Sequence, residues 1–479
     1  MEVTFPSKEN VSATNIVSFL NAVNQNRTQD YELHSFLMLR HGKVIVDCSW
    51  HPYNANGRHS VYSLSKLFIS TAIGMAVDEK RLSVDDNVLK LLNIVHTPQM
   101  DEKLAQVTVK HLLTMSFGHE ASLNGQLLAA KEPWLDLILS APLQYAPGER
   151  FVYDCSSTYL LSLILQTLTG ETATVYLTPR LFAPLGIESP VWDQSPQKVD
   201  IGAFGLHLTT LDIAKLGQFY LQKGVWNGKR LLSEEWIAQA TSYQTATNSA
   251  SLNPDWQQGY GYKFWLCTHE CFRGDGAFGQ FCLVLPKEDA VIAVTAACKD
   301  MQKTLDLIWE NILPAFDRGC AEEDDMLICK NLELSHPPLK DISQSPLFNK
   351  GIAAIPPDNS MGIQRLTISS EGYTRKVCME IAGSTQSIVC GIGSWEYSTI
   401  HLRGCDYLCA ASCGIVDEQH IRAVFRLVDT PYTAYLQCSI EADALQVEVN
   451  TNVSFSPFVD PFQPVSFSAR YEILCCTTL

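Results

Sequence analysis

The stretch "SVYSLSKLFISTAIGMAVDEKRL" (60–82) is almost unbroken apolar sequence from Leu67 to Ala76, and polar residues return only at Asp78-Glu79-Lys80. A helix that is apolar all round belongs in the middle of a large domain. Upstream, residues 15–26 predict a helix after a Ser/Thr/Asn-rich start, and "HSFLMLRHGKVIVDCSW" predicts two strands joined at His41-Gly42. Between about 85 and 240 the pattern is mainly helical, at "VTVKHLLTMSFGH", "STYLLSLILQTLTG", "LDIAKLGQFYLQKG" and "SEEWIAQAT", with Gly and Pro between them. Strand patterns return at "YGYKFWLC", "GQFCLVLP" and "AVIAVTAAC", and a helix over 301–312 closes the segment.

A change of composition follows. "DRGCAEEDDM" is charged and "HPPLKDISQSP" is loop-like, which sets a boundary near 320 and two domains, 1–318 and 319–479. Beyond about 360 the chain reads as short strands at even spacing, from "IQRLTIS" to "ARYEILCC", which predicts an all-β sandwich or barrel. In the first domain, strands stand at both ends and helices between. Pairing the early hairpin with the late strands gives an α+β fold: one antiparallel sheet flanked by helices, with a helical region inserted.

Composition narrows the function classes. A chain of 479 residues exceeds one hydrophobic core, and 46% hydrophobic with 18% charged residues describes an ordinary soluble protein. The net charge of −16, with acids spread rather than blocked, argues against nucleic acid as a partner. No stretch reaches the roughly 18–20 apolar residues of a membrane span, and the N-terminus lacks the basic start and apolar core of a signal peptide. Sixteen cysteines dispersed along such a chain read as reduced thiols, and the expected location is cytoplasmic.

The chemistry centres on Ser63-Leu64-Ser65-Lys66. On a helix, positions three apart share a face, so Ser63 in the first turn has Lys66 beside it and one turn deeper. Burial disfavours the ammonium, and a neutral lysine can take the serine proton. A helix N-terminus also supplies free N–H groups to a developing oxyanion. Taken alone, the same pattern fits a helix cap followed by a snorkelling lysine. A second match, Ser195 to Lys198, carries a proline in a polar turn and receives no catalytic role. The Gly-x-Ser-x-Gly nucleophile signal is absent.

Two further stretches in matching order lend weight to the catalytic reading. "APGERFVYDCSSTYLLSLILQTLTG" resembles the Pro-Gly-x-x-Phe-x-Tyr segment of the serine β-lactamase-related family, which includes class C β-lactamases, DD-peptidases, D-amino-acid amidases, family VIII esterases and 6-aminohexanoate-dimer hydrolases. "FRGDGAFGQFCLVLP" resembles that family's third motif, an edge strand beside the nucleophile. The likeness covers roughly residues 30–315. It implies a β-lactamase/transpeptidase-like fold with Ser63 as acylated nucleophile, Lys66 as its partner and Tyr153 as proton shuttle. It also implies an oxyanion hole from the N–H groups of Ser63 and Ala277. Two departures bear on substrate. The family's Tyr-x-Asn reads Tyr153-Asp154-Cys155, and its Lys-Thr-Gly or His-Thr-Gly reads Gly274-Asp275-Gly276, without the cation. Cys155, Asp275 and Gly276 thus take the substrate-binding positions, and β-lactam chemistry is disfavoured. Arg273 either replaces the lost cation or is a solvated edge residue. The C-terminal domain resembles lipocalin-like appendages of some relatives.

Other polar groups receive structural readings. Cys267, His269 and Cys271 in "CTHEC" have zinc-like residue types but no fourth ligand, and Cys405, Cys409 and Cys413 lie in a strand-rich region. His207 packs at a Gly-rich turn, and Asp212 caps or pairs within its helix. No cofactor or metal is expected. The expected function is hydrolysis of a small ester or amide through an acyl-serine. An acyltransferase using the same intermediate and a non-catalytic binding or sensor protein are the alternatives, and the oligomeric state is left open.

Overall fold

The computed structural model describes residues 1–130, 132–247, 251–316, 332–338, 351–371, 374–381, 383–417, 419–441, 444–455 and 460–474. The chain forms two compact units: Met1–Arg27, Tyr31–Ser49 and Arg58–Lys330 in one, and Thr28–Asp30, Trp50–Gly57 and Asn331–Leu479 in the other. The expected division at 318/319 falls in a stretch outside the described residues.

The first unit is built on six antiparallel strands in the order Lys43–Ser49, Tyr31–Arg40, Ala290–Cys298, Gln280–Leu285, Phe272–Gly276, Trp265–Leu266. The early hairpin therefore pairs with the late strands, with Tyr31 opposite Cys298 and Arg40 opposite Ala290. Its turn falls at His41 and Gly42, whose φ values of 49° and 74° are those of a tight hairpin. Tyr31–Arg40 is buried along its whole length, because the sheet is covered on both faces and no polar side need alternate. The helix Thr210–Leu221 lies on the sheet at a glycine: a Cβ on Gly217 would come within 2.6 Å of Val291 Cγ1.

The apolar segment forms the helix Ser65–Asp78, buried from Ser65 through Ala76. It packs against a second buried helix, Cys155–Thr169. No helix among the described residues is long and apolar enough to cross a membrane. Cys48 is disulfide-bonded, so the reading of reduced thiols does not hold there, while eleven other described cysteines are free.

The second unit is a barrel, which resolves the sandwich-or-barrel alternative. Ten strands run in the order Ser384–Ile392, Thr374–Ile381, Ile363–Glu371, Gly351–Ala354, Val465–Leu474, Ala444–Thr451, Thr433–Glu441, His420–Leu427, Cys405–Ile415, Glu396–Leu402. Parallel pairing of Gly391 with Ser412 and Ile392 with Cys413 closes the cylinder and removes the exposed edges. Inward side chains, among them Leu366, Met379, Phe425, Leu436 and Val447, leave a cavity of only about 10 Å³. That is room for no more than a water molecule, so the barrel interior is a packed core. Trp50–Gly57 joins this unit, with His51 N–H donating to Leu332 O at 3.0 Å and Leu334 N–H to His51 O at 2.8 Å.

Candidate active site

Ser63 lies in a single 3-10 turn, Tyr62–Leu64, immediately before the Ser65–Asp78 helix rather than in its first α-turn. The turn is fixed from outside the helix. Tyr62 adopts φ 47°, Ser65 Oγ donates to Tyr62 O at 2.6 Å, and Leu206 N–H donates to Ser65 Oγ at 3.2 Å. Lys66 is 1% exposed. Its Nζ donates to Ser63 Oγ at 2.8 Å and to Ala203 O at 2.7 Å, and lies 3.6 Å from Cys155 Sγ. Tyr153 is half-buried and interacts electrostatically with Ser63 and Lys66, and Lys66 Nζ stands 4.9 Å from its ring centre. The structure thus brings Ser63, Lys66, Tyr153 and Cys155 together.

At Lys66 two effects oppose each other. Burial does favour the neutral amine, but the ionisable Cys155 and Tyr153, with their hydrogen bonds, outweigh it and raise Lys66 above the ordinary lysine range. Burial raises Tyr153 and Cys155 too, against the pull of Lys66.

Sequence reasoning missed what orients Tyr153 and Cys155. Between them Asp154, 1% exposed, accepts from His119 Nδ1 at 3.1 Å, Ser122 Oγ at 3.2 Å and Leu123 N–H at 3.1 Å. It also caps the Cys155–Thr169 helix through Ser156 N–H. Burial pushes its carboxyl up, but the hydrogen bonds from His119 and Ser156 prevail and keep it below the usual range. Asn124 Oδ1 accepts from Cys155 N–H at 3.1 Å. A second buried lysine, Lys263, donates to Leu112 O at 2.6 Å. Burial and the nearby Lys66 push it well below the lysine range. Neither Asp154 nor Lys263 carries a sequence signal beyond its polarity.

The strand Phe272–Gly276 runs hard against the nucleophile turn. A Cβ on Gly274 would meet Leu67 Cδ1 at 2.2 Å, and one on Gly276 would meet Val61 O at 2.1 Å. Gly276 therefore allows the strand to lie close to the turn that carries Ser63, and the Phe278 ring meets the Tyr62 ring edge-on at 5.6 Å. Neither Ser63 N–H nor Ala277 N–H donates to another described residue. Gly276→Ala is expected to force strand and turn apart and to cut activity by at least about tenfold, with a stability loss of roughly 1–3 kcal/mol. Steady-state kinetics with a thermal melt checks both.

Arg273 is neither a solvated edge residue nor a free cation. It is fully buried, bonded through Nη2 to Asp275 Oδ2 at 3.1 Å and through Nη1 to Asp255 O at 2.8 Å and Cys267 Sγ at 3.0 Å. Thr268–Glu270 forms a short turn rather than a strand, and His269 stacks near Trp309. Among the described residues no three His, Cys, Asp or Glu side chains converge as metal ligands. Asp212 both caps its helix through Thr209 and pairs with Lys215 at 3.0 Å. His207 lies 4.0 Å from Asp193. A recess of about 530 Å³ beside Gly42, Gln218 and Trp226 is lined by none of the clustered residues.

Comparison with known proteins bears on the family and the fold. The 6-aminohexanoate-dimer hydrolase of Paenarthrobacter ureafaciens is 22% identical over 299 residues, 58% of this chain and 75% of that protein. Among solved structures, the octameric penicillin-binding protein homologue from Pyrococcus abyssi aligns over 95% of this chain and 99% of its own, at 15% identity and a TM-score of 0.51. EstCE1, described as a hydrolase with promiscuous acyltransferase activity, aligns over 63% of this chain and 99% of its own, at 14% identity and a TM-score of 0.51. The Beta-lactamase family model matches residues 30–315. With that match across more than half its length, the chain belongs to the beta-lactamase family.

Proposed function

We propose that the chain is a serine hydrolase acting through an acyl-enzyme on a small ester or amide. Ser63 Oγ attacks the substrate carbonyl, and its proton passes to the Tyr153–Lys66 pair. The N–H groups of Ser63 and Ala277 hold the oxyanion. Collapse expels the alcohol or amine, protonated from the pair, and leaves the acyl group as an ester on Ser63. Water then adds by the same route in reverse and releases the acid. The observation that carries this reading is the 2.8 Å contact between Ser63 Oγ and the buried Lys66 Nζ, with the Tyr153 ring centre 4.9 Å from the same Nζ.

Reaction needs the pair to have lost one proton, and both members are held above their ordinary values. A raised value means that the reactive form grows as pH rises. At saturating buffer and constant ionic strength, kcat/KM is expected to climb with a slope of about one log unit per pH unit through neutral and still to increase at about pH 9. A profile that is flat or falling there removes the pair as the base.

An acyltransferase would use the same intermediate, and the description of EstCE1 keeps that outcome in view; product analysis with and without an added alcohol separates the two. A cytoplasmic location forms part of the proposal, on the eleven free described cysteines. Reaction with a fluorophosphonate, followed by intact mass and peptide mapping, tests the whole. One adduct on Ser63 supports an activated serine. No adduct moves the assignment to a binding or sensor protein.

A further inference from the structure

Among the polar groups of the first unit, the Arg273–Asp275 pair is the one whose placement bears on what the site accepts. It stands on the strand that ends at Ala277. Trp265–Leu266 pairs with that strand only as far as Arg273, leaving Gly274, Asp275 and Gly276 with a strand partner on the Gln280–Leu285 side alone. A substrate whose carbonyl oxygen is held by Ala277 N–H lies along this open edge. Asp275 is two residues away, within about 7 Å along the backbone.

The two charges are not equally placed. Both terminal nitrogens of the Arg273 guanidinium donate within the protein, to Asp275, Asp255 O and Cys267 Sγ, while Nε has no partner among the described residues. Its flat face lies 4.2 Å over the Trp256 ring and 5.8 Å from Trp265. It is 0% exposed, whereas Asp275 keeps 7%. Asp275 also interacts electrostatically with Lys66 and Tyr153, and Tyr153 stacks on Trp265 at 5.6 Å. The cation is locked away behind aromatic rings, and the carboxylate is the member nearer the reacting groups.

We propose that Asp275 sets substrate charge: the site rejects esters and amides that carry a carboxylate beside the scissile carbonyl and accepts neutral or ammonium-bearing ones. This rests on the serine hydrolase reading and deepens it. Arg273, 3.1 Å away, offsets part of the Asp275 charge, so discrimination against a like charge at this edge is expected on the order of tenfold. Arg273 acts here as a positioning residue that holds the Asp275 carboxylate toward the edge.

The test uses the full chain at pH 8 with p-nitrophenyl and phenyl esters of matched length. In each set a methyl, ammonium or carboxylate group is placed on the acyl side or on the leaving-group side. For the wild type, kcat/KM is expected to be at least about tenfold lower for the carboxylate than for its methyl counterpart on one of the two sides. Asp275→Asn and Asp275→Thr are expected to shrink that ratio toward one, whatever they do to the absolute rates. Fluorophosphonate labelling of each variant shows that its site is assembled. Equal turnover of all three charge classes by the wild type, or a ratio unmoved in variants that still label, overturns the proposal. Failure of the underlying reading looks different: no ester is turned over and Ser63 takes no label.

Discussion

Ser63→Ala is expected to lower turnover of every accepted ester by at least about 10⁴-fold, the scale seen when a nucleophile acting in a catalytic unit is removed. The change deletes one hydroxyl from a half-buried turn. Lys66 keeps its 2.7 Å bond to Ala203 O, and the turn keeps its bond from Ser65 Oγ to Tyr62 O. The melting behaviour should therefore stay within the range of a neutral substitution, about 0.5 kcal/mol. Turnover of a p-nitrophenyl ester and a thermal melt, measured side by side, separate loss of chemistry from loss of fold. Full activity in a folded Ser63→Ala variant would show that another group attacks the substrate.

Tyr153→Phe is expected to slow turnover by about 10²–10⁴-fold, the usual contribution of a placed acid–base group. The ring stacks on Trp265 at 5.6 Å with 21° between planes and meets Tyr260 edge-on at 6.4 Å, and phenylalanine retains both contacts. What disappears is the hydroxyl proposed to carry the proton beside Ser63 and Lys66. The alkaline limb of kcat/KM should change with it, because Lys66 loses the partner that helps hold it high. A purely structural tyrosine would leave that limb in place and lower stability instead. The pH profile of the variant therefore discriminates between the two roles even if the rate loss is modest.

The parts of this site that sequence revealed are those set by short spacing. Ser63 and Lys66 lie three apart, and their contact follows from helical geometry at that spacing. The glycines at 274 and 276 announce close approach, and the structure places Leu67 and Val61 against them. Three features resisted reading because long-range contacts decide them. The 3-10 turn at Ser63 depends on Leu206, 141 positions from Ser65. The surroundings of Lys66 include Cys155 and Ala203, 89 and 137 positions away, so the groups that oppose its burial could not be read from local spacing. Arg273 looked like an edge residue because its partners Asp255 and Cys267 arrive from loops with no periodicity. In the second unit, alternation predicted strands well, yet closure rests on a two-residue parallel pairing between Gly391-Ile392 and Ser412-Cys413, which no local pattern encodes. Trp50–Gly57 reads as a loop of the first unit, and only its bonds to Leu332 and Leu334 assign it to the barrel.

That assignment limits how the protein can be divided. The chain visits the barrel unit three times, at Thr28–Asp30, at Trp50–Gly57 and from Asn331 onward. A gene truncated at the composition change would leave the hydrolase fragment carrying two orphaned pieces of its neighbour, and the barrel fragment without the backbone that pairs with Leu332 and Leu334. Neither half is then a faithful copy of the unit it is meant to represent. Exchange of the barrel in an engineered chimaera would have to transplant the two early segments with it.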